Sequence, residues 1–120
     1  MIAYERETFT YSIYGLVCPF ENEIKYVGCT RKTLPYRLNA HISNAKSTWN
    51  YNQLFPHKKH RFTEKMEWIY SLAIRGLTPK IILIAQTTDL KTANKLELEN
   101  IMERWDSIYN LSTQRFSRKP

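Results

Sequence analysis

Three groups of residues in this chain have the types and spacings that chemistry needs. Arg37 and His41 stand four apart, which stacks them on one face of any helix that holds both. Two potential cations gain nothing from each other, but together they can receive a phosphate, although the same spacing also arises on ordinary helix surfaces. Tyr14 and Tyr26 share a sheet face if a hairpin register brings Tyr14 opposite Tyr26 or Gly28. Such a pair either packs across the strands or offers two phenols to a ligand, and Gly28 marks a bulge or a close approach to backbone. Glu97 falls on a helical wheel inside an arc of Leu90, Leu98, Ile101, Trp105 and Ile108, flanked one turn either way by Ala93 and Ile101. Glu99 and Glu103 point away from that arc. A carboxylate in an apolar stripe is costly unless a cation meets it, and that cation is either a basic side chain or a metal ion.

These residues need elements to aim them. Tyr11–Cys18 and Ile24–Cys29 are rich in aromatic and β-branched residues and read as the arms of a hairpin, with Pro19–Glu23 as its turn. Thr33 N-caps a helix with Pro35 in its first turn, and Leu34, Leu38, Ile42 and Ala45 mark its buried side. Residues 46–62 show no period and read as a long basic loop carrying Trp49, Tyr51 and Phe55. Thr63–Glu67 opens a second helix, with Met66, Ile69, Tyr70 and Ala73 on one face and Gly76 as its C-terminal cap. Lys80–Thr87 is apolar enough for a central strand buried on both faces. A third helix runs from Leu90 or Thr92 to Trp105, and Tyr109–Leu111 suits a last short strand. The order β-β-α-α-β-α gives a small α+β domain spanning 1–120, with its core over 10–113 and a basic tail at 114–120.

With 120 residues and 42% apolar content, the chain can bury a core and is not disordered as a whole. Its longest apolar run, Ile81–Ala85, is far too short for a membrane span, and the N-terminus lacks the features of a signal peptide. A cytoplasmic protein is expected. Cys18 and Cys29 make no disulfide framework, and with His57 and His60 they are too unspecifically spaced to argue for zinc. The formal charge of +7 is unevenly placed: residues 25–63 contain no acid, eight Lys or Arg and all three histidines. That stretch is either a solvated basic face or the footprint of a polyanion, and nucleic acid is the polyanion it suits best. Arg31, Lys32, Lys46, Lys58, Lys59 and Arg61 would meet phosphates while Trp49 stacks on bases, or the aromatics would pack on the domain itself.

Together these residues resemble the GIY-YIG nuclease family. Ser12-Ile13-Tyr14 is similar to its first motif, with Ser for the leading Gly, and Tyr26-Val27-Gly28 to its second, with Val for Ile. Tyr36-Arg37-Leu38-Asn39-Ala40-His41 is similar to the family's helix with Arg and His. The stretch from Trp68 through Gly76-Leu77-Thr78-Pro79 to Ile84 is similar to its middle helix and third strand. The family's metal-binding Glu falls on Glu97 and its late Asn on Asn110, so the likeness runs over about residues 10–113.

The resemblance implies a compact α/β/α domain with a small three-stranded antiparallel sheet flanked by helices. It implies an endonuclease that hydrolyses phosphodiester bonds in DNA with Mg²⁺ or Mn²⁺. Glu97 would hold the cation, Arg37 would clamp a phosphate oxygen, and Tyr14 or His41 would act as general base, with Tyr26 orienting water or phosphate and Asn110 fixing local geometry. Duplex DNA in a bacterial or phage-infected cell is the expected partner, with specificity left to the loop, to homodimerisation or to a separate recognition partner. The competing expectation is a non-catalytic nucleic-acid-binding module that keeps the fold.

Overall fold

In a computed structural model, which describes residues 9–110, the hairpin is built from β1 (Tyr11–Val17) and β2 (Ile24–Thr30). Asn22 turns the chain with a φ of 55°, a conformation that asparagine tolerates better than most residues. The ladder pairs Tyr14 with Gly28 and Ser12 with Thr30, which is one of the two expected registers. Neither cysteine is bridged.

Thr33 caps α1 (Leu34–Leu54), its hydroxyl accepting from the Tyr36 N–H, and Pro35 sits in the first turn. This helix runs well into the segment expected to be loop. The reason lies in its buried stripe, which is His41, Ala45, Thr48 and Asn52 at helical spacing. Beyond Ala45 the buried side is polar, so a search for apolar periodicity loses it. Only about 55–63 is irregular. Thr63 then caps α2 (Glu64–Ala73), accepting from the Met66 N–H at 3.1 Å. Past its end Gly76 takes a φ of 75°, and the Leu77 N–H reaches back to the Leu72 carbonyl.

β3 (Lys80–Thr87) returns antiparallel to β1, giving the sheet order β2-β1-β3. β3 is thus an edge strand, not the buried central one, with Ile82 41% and Leu83 48% exposed. The centre belongs to β1, whose side chains are covered on both faces. Ile13 packs with Val27, Ala93, Ile101 and Ile108 on the side of α3 (Leu90–Glu103). Tyr14 and Leu16 pack with Ala45 and Ile69 on the side of α1 and α2. The layers are therefore helix pair, sheet, helix. Full burial of an aliphatic side chain such as Ile13 or Leu16 is worth roughly 1.5–3 kcal/mol.

The β1–β3 register slips between Ile13 and Tyr14, where Ile84 has no opposite number, so a bulge lies directly beside Tyr14. Asp89 caps α3 through the Thr92 N–H and hydroxyl. On α3, Ala93 and Ile101 are buried as expected, but Leu90 and Leu98 are exposed, so the apolar arc is narrower than the wheel drew it. Tyr109 and Asn110 are not a strand. Leu111 and the tail at 114–120 lie outside the described residues. No helix among the described residues is long and apolar enough to cross a membrane.

Candidate active site

Tyr14, Tyr26, Arg37 and His41 come together where α1 crosses the sheet. β1 and β2 bring the two phenols to one face, with ring centroids 6.3 Å apart, and the Tyr26 ring meets the His41 ring edge-on at 5.2 Å. Gly28 is what permits this. A Cβ there would collide with the Tyr14 hydroxyl and ring carbon, so the phenol lies in space that only glycine leaves open. Ser12 is buried, and its hydroxyl accepts from the Gln86 amide at 3.1 Å.

The hydrogen bonds of the cluster have a direction. Arg37 Nε donates to the Tyr14 hydroxyl oxygen at 3.0 Å, and that hydroxyl lies 2.6 Å from His41 Nε2. Burial, reinforced by Lys65 and then Arg37, pushes the His41 imidazolium down to about 3, so the ring is neutral at physiological pH. A neutral ring can accept at Nε2 with its proton on Nδ1, and Tyr14 can donate to it. With that tautomer the donors run from Arg37 to Tyr14 to His41. Burial raises the Tyr14 phenol despite the opposing Arg37 charge, and raises Tyr26 further.

Glu97 stands on α3 between Ala93 and Ile101, partly buried as the wheel indicates. Among the described residues no Lys, Arg or His lies within ion-pair distance of it, and it makes no hydrogen bond. Burial raises its pKa, and its charge adds to burial in raising Tyr14, Tyr26 and the Cys29 thiol. Of the two fates open to this carboxylate, the basic side-chain partner is absent among the described residues. No set of three His, Cys, Asp or Glu side chains there could cage a metal by itself.

Asn110 has a different task. Its amide donates to the Val27 carbonyl at 2.6 Å and its carbonyl accepts from the Val27 N–H at 3.1 Å, so one side chain stands in for a neighbouring strand along the outer edge of β2. With the Tyr109 N–H bonded to the Lys25 carbonyl, it holds the strand that carries Tyr26 and Gly28.

No family model, curated protein or solved structure matches this chain.

The expected gripping residues come from three places: the β2–α1 turn, α1 and the loop after it. Arg31 and Lys32 lie in the β2–α1 turn, with Arg31 over the Phe9 ring at 4.2 Å and Lys32 near Tyr36. Lys46 is exposed on α1, and Lys58, Lys59 and Arg61 are exposed in the loop beyond its far end. Trp49 is half-buried and stacked on Tyr70 at 4.7 Å and against Phe62, so it packs on its own domain. Tyr51 stacks on His60 at 4.1 Å and packs against Phe55. Asn52 fixes the loop, exchanging two hydrogen bonds with the His60 backbone.

One residue escaped the sequence reading. Lys65, in the first turn of α2, joins Arg37, His41, Ser43, Asn44 and Ser47 around a cleft of about 320 Å³ between the helices. Nothing in the local sequence marks it, because it sits between the ordinary first-turn acids Glu64 and Glu67.

Proposed function

We propose that this chain is a GIY-YIG-type endonuclease that hydrolyses phosphodiester bonds in DNA with a divalent cation. The observation that carries the reading is the hydrogen-bonded cluster of Arg37, Tyr14 and His41 with a partly buried carboxylate, Glu97, at its margin that has no basic partner among the described residues. A packing role explains the paired tyrosines and the buried histidine, but not a guanidinium and a carboxylate held near them without opposite charges among the described residues.

The residues fit a hard cation. Glu97 supplies one anionic oxygen ligand, and Mg²⁺ or Mn²⁺ of this kind keeps most of its waters and needs few protein ligands. Bound there, the ion would polarise the phosphate and stabilise the leaving oxygen. The remaining work belongs to the chain. Tyr14 accepts one hydrogen bond from Arg37 and is wholly buried in the free protein, so substrate binding must open a path for a water molecule to its second lone pair. As that water attacks phosphorus and the P–O bond to the leaving oxygen breaks, the water proton passes to Tyr14 while the phenolic proton passes to His41 Nε2. This relay needs no free phenolate, which burial makes scarce. The terminal nitrogens of Arg37 make no hydrogen bond among the described residues, and a guanidinium suits the non-bridging phosphate oxygens as their charge grows.

Incubation with plasmid DNA and Mg²⁺ or Mn²⁺ tests the reading. Cleavage that Glu97→Ala abolishes, with DNA binding retained, supports it. Intact DNA at large enzyme excess refutes it, and salt-sensitive binding without cleavage favours a binding module.

A further inference from the structure

Lys65 is poorly placed for a merely structural cation. It lies in the first turn of α2, where the positive end of the helix dipole opposes it. It is partly buried, and no carboxylate lies within ion-pair distance among the described residues, for its neighbours Glu64 and Glu67 are exposed to solvent. The groups that face it are Arg37 and His41 from α1 and the Tyr26 ring from β2, whose centroid is 4.7 Å from Lys65 Nζ. Burial and then Arg37 push the ammonium down to about 8. The cleft thus concentrates positive charge beside hydroxyl and amide groups from Ser43, Asn44 and Ser47.

We propose that Lys65 is a phosphate ligand of this site, acting from α2 across the cleft from Arg37 so that the two cations seat a nucleic-acid backbone phosphate against His41. The proposal rests on the nuclease reading and names the α1–α2 cleft as the seat of its substrate. A bound anion removes the repulsion between the two cations. It also offsets the field that keeps protons off His41, so the ring gains proton affinity when there is a water to deprotonate. Substrate binding and readiness of the base are thereby coupled through one lysine.

Binding of a short fluorescein-labelled DNA duplex without divalent metal tests this apart from cleavage. Lys65→Met keeps the stem and removes the charge; it should weaken binding by roughly ten- to hundredfold and lower the salt slope by about 1. Lys65→Arg should restore affinity to within a few fold. The melting temperature of Lys65→Met should stay close to or exceed that of the parent, because the methionine keeps the packing on Tyr26 and removes a partly buried charge that has no carboxylate beside it among the described residues. Lys65→Gln serves the same comparison should the methionine variant fail to fold. In ring-proton NMR titrations, the His41 pKa should rise in Lys65→Met and, in the parent protein, on addition of the duplex.

Unchanged affinity and salt slope in Lys65→Met and Lys65→Gln, or failure of Lys65→Arg to restore binding, overturns the proposal. Lys65-dependent binding without cleavage by the metal-loaded parent overturns the nuclease reading and leaves the phosphate seat standing. Cleavage with unchanged kcat/KM in Lys65→Met does the reverse.

Discussion

Two kinds of buried polar structure coexist in this domain. At Asn52 and Asn110, neutral amides exchange paired hydrogen bonds with backbone, each amide giving one and accepting one. Around Tyr14, the charged groups Arg37, Lys65 and Glu97 are partly buried without opposite charges beside them among the described residues. Both arrangements leave no buried side-chain nitrogen or oxygen without a hydrogen bond among the described residues. The amide clamps satisfy the polar groups of the fold, whereas the cluster holds charge that no described residue of opposite sign meets. On the proposed function, that contrast separates polar groups kept for architecture from those kept for a ligand.

The sharpest way to break the contrast is Glu97→Ala. DNA cleavage should fall by about 10³-fold or more, while the melting temperature holds or rises because an unpaired carboxylate leaves a partly buried site. A fall in both would make Glu97 a structural residue. Tyr14→Phe removes the link between Arg37 and His41 and should slow cleavage by roughly 10²–10⁴-fold, the range of general acid–base catalysis. It should also leave duplex affinity nearly unchanged. Asn110→Ala should behave oppositely. It strips the Val27 N–H and carbonyl of their partners and should cost about 1–3 kcal/mol in chemical denaturation, with activity recovering at lower temperature.

The pH dependence sharpens the comparison further. Lys65 carries its charge below about 8 and loses it above, so kcat/KM should decline as pH rises through that value. Lys65→Arg should move this limb to higher pH. His41 titrates near 3, so its protonation should not limit activity between pH 5 and 8 in the free protein. The smallest effect is expected at the far loop: Lys58→Ala and Lys59→Ala should each lower the salt slope of duplex binding by about 0.9 if they meet phosphates, without changing kcat.

Much of this was legible in the residues themselves. The hairpin with its two possible registers, the bounds of β3, the cap at Thr33 and the inward turn of Glu97 follow from period, turn chemistry and one charge in an apolar stripe. What escaped has physical causes. The far half of α1 buries Thr48 and Asn52, so its inner face carries no apolar signal. An unbroken apolar run such as Ile81–Ala85 looks the same in a central strand and an edge strand, and only the cover on both faces of β1 decides between them. Lys65 acquires meaning only from Arg37 and His41, far away in sequence and adjacent across the cleft. Stacking of Trp49 on Tyr70 likewise depends on how α1 and α2 pack.

The Asn110 clamp has a consequence for the order in which the molecule is completed. Its bonds to Val27 span 83 residues, a closure that costs least once the sheet and helices have drawn the two ends together. A nascent chain that has not reached Asn110 leaves the edge of β2 unpaired beside Tyr26 and Gly28, however well the hairpin has folded. Synthesis itself then acts as a delay, and the strand that presents Tyr26 is secured near the end.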